Sequence, residues 1–164
     1  MKKIYELGIA FGGGGTRGYY HAGVLKRLLE LGYKPQIVSG TSVGSIVAAM
    51  YAAGLSVESM QAAFSALALK DFLEPRLPKQ YLTDSKPLRK ILENTLKAKT
   101  FEELECPLKI IATCLESSKE VIFEKGPLID AIIASCSVPV VFPPVKIEGK
   151  HYVDGGVIRN VPVS

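Results

Sequence analysis

The chain has 164 residues, with 48% hydrophobic and 22% charged side chains and a formal net charge of +4. That composition fits a globular domain with a large core and excludes a disordered or low-complexity chain. The charge is mild and forms no basic run, so nothing points to nucleic acid.

The first predicted strand is Leu7 to Phe11, and it runs straight into Gly12-Gly13-Gly14-Gly15-Thr16-Arg17-Gly18. A helix follows, with Val24, Leu25, Leu28 and Leu29 on its apolar face and Gly32 as its stop. Gly13-x-Gly15-x-x-Gly18 matches the dinucleotide fingerprint, placed between a strand and a helix. A nucleotide-binding module on the Gly13–Gly18 loop is therefore one alternative. It needs an acidic residue at the end of the second strand for the ribose, and that strand ends in Ser39-Gly40. The other use of such a loop is an oxyanion hole, because glycines let several N–H groups turn toward one point.

The second strand begins at Ile37 and ends at Gly40, before Ser42 in the pattern Gly40-x-Ser42-x-Gly44. A helix apolar nearly all round follows from Ser45 to Ala53. Strand, sharp turn and buried helix make a nucleophile elbow, with Ser42 thrust out of the backbone. The uncharged window between Lys34 and Glu58 is long enough to raise a transmembrane segment. Its many polar residues fit strand, turn and buried helix better. No signal peptide is read, since Tyr5, Glu6 and Gly8 interrupt any apolar run after Met1-Lys2-Lys3.

Ser56 is the expected cap of the next helix, whose apolar side is Met60, Phe64 and Leu67. Lys70 to Lys86, with Pro75 and Pro78, reads as a loop and as a candidate covering segment. Leu88, Ile91, Leu92 and Leu96 define another amphipathic helix, and Thr100 to Leu104 a single turn. Leu108 to Cys114 and Glu120 to Glu124 are expected to pair as strands. Pro127 to Ala134 fits a short helix. Val145 to Ile147 and His151 to Val153 flank Glu148-Gly149-Lys150 as a hairpin leading into Asp154-Gly155-Gly156.

A serine nucleophile needs a base. The chain has two histidines, His21 in the first turns of a helix and His151 in a hairpin strand, and neither sits in a turn built to present it. Asp154 ends a strand beside two glycines, and a carboxylate serves as base when a dry pocket raises its pKa. Three cysteines, Cys106, Cys114 and Cys136, show neither CxxC spacing nor an even count, so no disulfide framework or zinc site is suggested and a reducing compartment is expected.

Three motifs in this order resemble the patatin-like phospholipase family: Gly13-Gly14-Gly15-Thr16-Arg17-Gly18, Gly40-Thr41-Ser42-Val43-Gly44 and Asp154-Gly155-Gly156. The connecting text Ala134-Ser135-Cys136-Ser137-Val138-Pro139 and Phe142-Pro143-Pro144-Val145 is similar too. The resemblance implies a single domain over residues 1–164, with a three-layer α/β/α sandwich around a mixed, mainly parallel sheet. It implies lipid acyl hydrolysis by a Ser42–Asp154 dyad, with Gly13, Gly14 and Gly15 as oxyanion hole and Gly40 and Gly44 as the elbow glycines. Arg17 and Gly18 would support the loop. No metal or cofactor is implied.

The expected partner is a lipid ester, with transient membrane-surface contact allowed, no nucleic acid, and a cytoplasmic or membrane-peripheral location. Apolar walls are expected from Val43, Ile46 and the Pro139–Val145 stretch. Val43 is larger, and Cys114 different, than is common in the family. Family members usually continue past this point, which implies a missing C-terminal segment, an oligomer, or an inactive patatin-like interaction domain as a further alternative.

Overall fold

The computed structural model describes residues 4–66 and 84–163. Most of Lys70 to Lys86, the expected covering segment, and Leu67 lie outside the described residues.

The strands are β1 (Gly8–Phe11), β2 (Ile37–Thr41), β3 (Leu108–Cys114), β4 (Lys119–Phe123), β5 (Val145–Ile147) and β6 (Lys150–Asp154). The α-helices are α1 (Gly18–Glu30), α2 (Val43–Ala52), α3 (Val57–Ala66), α4 (Lys86–Thr95) and α5 (Leu128–Cys136). The result is a mixed sheet with parallel strands flanked by helices, the fold class implied by the sequence.

β1, β2 and β3 run parallel, and β4, β5 and β6 add antiparallel pairs. β3 is the hub. Ile111 pairs with Thr41 on one edge and with Ile122 on the other. Its neighbour Ala112 pairs with Asp154 and with Val121. So β4 holds one edge of β3, while β2 and β6 divide the other edge between them. β2 is parallel to β3 and β6 antiparallel, so the C-terminal ends of β2 and β6 meet head-on there.

The core lies between one face of this sheet and the helices. Val38, Leu108 and Ile110 from the strands pack with Val47, Met50, Leu92 and Ile132 from the helices. Each such side chain removed from water contributes about 1.5–3 kcal/mol. α2 is buried almost all round, as its unbroken apolar run demands. The stretch from Lys34 to Glu58 is therefore strand, turn and core helix, and no helix among the described residues is long and apolar enough to cross a membrane.

On α1 the buried stripe is Gly18, Ala22 and Leu25, and Val24 is exposed. The 4- and 3-residue steps from Gly18 set that face, and Val24 falls to one side of it. Ser56 caps α3 through Oγ, which accepts the Ser59 N–H at 3.2 Å. The β5–β6 turn uses Glu148 and Gly149, both at positive φ (48° and 83°), as a two-residue hairpin turn requires.

The opposite face of the sheet carries the C-terminal residues. Ser39 Oγ donates to the Pro162 carbonyl at 2.8 Å and Thr41 Oγ1 to the Arg159 carbonyl at 3.2 Å. Arg159 Nε lies 2.8 Å from a Glu120 carboxylate oxygen. This strap crosses β2 and reaches the glycine loop, where the Gly13 N–H donates to the Asn160 carbonyl at 3.0 Å.

Candidate active site

Ser42 sits between β2 and α2 at φ 54° and ψ −130°. A positive φ is costly for a residue with a Cβ, about 1–3 kcal/mol for such outliers, and persists only where the surroundings hold it. They do so at both backbone groups. The Ser42 N–H donates to Ser135 Oγ at 2.9 Å. The Ser42 carbonyl accepts from Ser45 Oγ at 2.6 Å and from the Ser45 N–H at 2.8 Å. Ser135 and Ser45 are both fully buried.

The elbow glycines are required by close approach. A Cβ on Gly44 would overlap the Phe11 carbonyl, and one on Gly40 would overlap the Gly44 carbonyl. β1, β2 and α2 therefore touch backbone to backbone. Ser42 is half-buried and precedes the first turn of α2, whose leading N–H groups have no helical partner.

Asp154 is the last residue of β6 and is 6% exposed. Its N–H donates to the Ser137 carbonyl at 2.9 Å, and its carbonyl accepts from Thr113 Oγ1 at 3.1 Å. One carboxylate oxygen accepts the Gly156 N–H at 2.7 Å. Burial pushes the Asp154 carboxyl above the ordinary aspartate range, against the opposing pull of hydrogen bonds from the Ser42 hydroxyl and the Gly156 N–H. The sheet fork thus places the two sequence-predicted residues side by side, since Thr41 pairs with Ile111 and Asp154 with Ala112.

The glycine loop divides its tasks. The Gly13 N–H donates to the Asn160 carbonyl. Gly13 also supplies room: a Cβ there would press on Asn160 Oδ1 and stand 3.2 Å from Ser42 Cβ. The Gly14 and Gly15 N–H groups have no partner among the described residues. Arg17 closes the loop by donating its N–H to the Gly14 carbonyl at 3.1 Å, and its side-chain stem covers Gly14. Gly18 opens α1 where that helix meets Val43, since a Cβ there would overlap Val43 Cγ2. The large residue at position 43 is accommodated by that contact.

Neither histidine bonds Ser42 or Asp154. His21 Nε2 bonds the Gly12 carbonyl at 2.8 Å and its ring meets Phe11 edge-on, so it braces the start of the loop. His151 is exposed and pairs with Glu116 at 2.8 Å. Ile46, expected on a substrate wall, is a core residue at 4% exposure, because it faces into the helix–sheet layer. The stretch after α5 does stay at the surface, with Val138 and Val140 exposed. Cys136 is buried beside Ser45, and burial followed by the Asp154 charge pushes its thiol pKa up. Among the described residues no three His, Cys, Asp or Glu side chains group as a metal site.

Sequence reasoning gave no role to Ser135, Ser45, Thr41 or Asn160. A serine in the apolar second half of α5 is the signal in the sequence that marks Ser135.

The sequence model of the patatin-like phospholipase family matches residues 9–164. An uncharacterized NTE family protein of Mycobacterium bovis is 31% identical over 161 residues, covering 97% of this chain and 45% of that protein. Patatin-like phospholipase domain-containing protein 6 of Mus musculus is 31% identical, covering 96% of this chain and 12% of its own length. The chain thus spans less than half the length of these relatives. The crystal structure of VipD from Legionella pneumophila superposes with a TM-score of 0.74 at 13% identity, covering 96% of this chain and 47% of that one, and shows the shared fold.

Proposed function

The chain belongs to the patatin-like phospholipase family, and on that premise we propose that it is a serine acyl hydrolase of lipid esters, working through Ser42 and Asp154. The observation that carries this reading is the convergence at the sheet fork. A strained, half-buried serine meets a buried carboxylate whose pKa is raised toward base strength.

Ser42 Oγ attacks the acyl carbonyl carbon as its proton passes to the Asp154 carboxylate. The carbonyl oxygen becomes an oxyanion, held by the Gly14 and Gly15 N–H groups beside the N-terminal end of α2. Collapse breaks the ester C–O bond, and the departing alcohol takes the proton from Asp154. Water then attacks the acyl-enzyme, again giving its proton to Asp154. Release of the fatty acid returns that proton to Ser42. The exposed Val138 and Val140, next to the residue whose carbonyl holds Asp154, give an apolar flank suited to an acyl chain.

The test is hydrolysis of a phospholipid panel and of short p-nitrophenyl esters, together with fluorophosphonate labelling. Ser42→Ala should take no label, and both Ser42→Ala and Asp154→Asn should lose activity by on the order of 10⁴-fold. Retained hydrolysis in a folded Ser42→Ala protein sinks the assignment.

A further inference from the structure

The C-terminal turn of α5 touches both halves of the proposed dyad. Ser135 is fully buried in a helix otherwise made of Leu, Ile, Ala, Asp and Cys. A buried hydroxyl is expected to be fully bonded, and Ser135 makes two bonds, neither within its own helix. It donates to the Ile111 carbonyl at 2.6 Å and accepts the Ser42 N–H at 2.9 Å. Ile111 is the last residue of β3 to pair with β2, and Ala112 the first to pair with β6. Ser135 is therefore pinned to the fork itself. Two residues on, the Ser137 carbonyl accepts the Asp154 N–H at 2.9 Å. The same crossing is tight from the other side, where a Cβ on Gly155 would overlap the Ile111 carbonyl.

We propose that Ser135 is a positioning residue: its hydroxyl locks the Ser42 backbone in its strained conformation and, from the helix end that also holds Asp154, fixes the nucleophile against its base. This rests on the acyl hydrolase reading. Ser135 does not touch the reacting atoms. Its hydroxyl also keeps the Ser42 N–H occupied, so that amide is no oxyanion donor and the donors stay in the glycine loop. Positioning matters on the ångström scale, where a misplacement of about 1 Å costs on the order of 10²-fold in rate.

The test compares Ser135→Ala and Ser135→Cys with Ile132→Val, a core change at a fully buried site on the same helix that removes no hydrogen-bonding group. Alanine removes the acceptor, and cysteine keeps the shape with a weak one. If the alanine variant does not fold, the cysteine variant carries the comparison. Thermal unfolding measures stability, fluorophosphonate labelling measures Ser42 reactivity, and p-nitrophenyl ester kinetics separate kcat from KM.

Labelling and kcat should fall roughly tenfold or more in both Ser135 variants, with KM within about twofold, while Ile132→Val loses stability and keeps its labelling rate. Wild-type labelling rates in a folded Ser135 variant, or an equal loss in Ile132→Val, overturn the positioning role and leave the acyl hydrolase reading intact. A wild-type protein that takes no label at Ser42 overturns both.

Discussion

Ser42 and Asp154 meet on a single edge of β3: Thr41, just before the serine, pairs with Ile111, and Asp154 pairs with Ala112, the next residue along. Two strands arriving from opposite directions end at that point. The chain turns away from the sheet at each end, and each turn presents a side chain.

On the proposed reading, Asp154 ties activity and stability to pH with opposite signs. Its carboxyl is held above the ordinary value of 3.8, chiefly by burial. A raised folded-state pKa means that stability is greatest with the group protonated and falls as pH rises through the folded-state value. Asp154→Asn should therefore be inactive yet melt higher than wild type at pH 7, with the gap closing as pH falls toward 3.8. Wild-type hydrolysis should lose its base at a pH above 3.8. Thermal melts and pH–rate profiles read both effects, and a gap that widens on acidification contradicts them.

Gly13 is predicted to act by its lack of a side chain. Gly13→Ala keeps the N–H bond to Asn160 but crowds the Ser42 Cβ, 3.2 Å from the added methyl. Asn160 is exposed and its side chain can swing aside. Fluorophosphonate labelling should slow by about tenfold while the melting temperature changes little. An unchanged labelling rate would show that no space is needed there.

Gly18 and Val43 should be coupled. Gly18→Ala drives a methyl into Val43 Cγ2 and should cost about 1–3 kcal/mol. Val43→Ala makes room for it. In a double-mutant cycle by urea denaturation, the pair should be more stable than the two single changes predict, by roughly 0.5–3 kcal/mol. Simple additivity would show that α1 is free to shift.

Glu116 fastens the β3–β4 turn to β6. The His151 ring nitrogen lies 2.8 Å from it, and the His151 N–H donates to both of its oxygens at 3.0 Å. The ring bond, followed by the backbone bond, holds its carboxyl down at about 2. A depressed carboxylate contributes stability that is present above its unfolded value of 4.5 and is lost as pH falls through 2. Glu116→Gln should be less stable than wild type at pH 6, by a deficit that fades between pH 4.5 and 2. Denaturation midpoints across that range would measure it, and a deficit constant with pH would exclude an ionic contribution.

The turns that hold Ser42 and Asp154 were legible in the residues. Gly40-x-Ser42-x-Gly44 between a β-branched run and an apolar run can only pack as a tight strand–turn–helix, and Asp154-Gly155-Gly156 ends a strand with room beside it. Such signals are local, set by backbone sterics and by hydrophobic periodicity over a few residues. The same locality explains the errors. Val24 and Leu25 both fit an apolar helix face, and only the position of α2 and α3 decided that Leu25 is buried.

By itself the sequence determined which kind of turn holds Ser42 and that a strand ends at Asp154. The tertiary structure decided how they meet. The division of one β3 edge between β2 and β6 depends on long-range strand pairing, which leaves no periodic trace in either strand. The capture of the Gly13 N–H by Asn160, and of the Ser42 N–H by Ser135, depends on a C-terminal strap and a helix end remote in the chain. A hydrogen-bond donor looks the same in sequence whether it is free for an oxyanion or already taken. Packing alone assigns its partner.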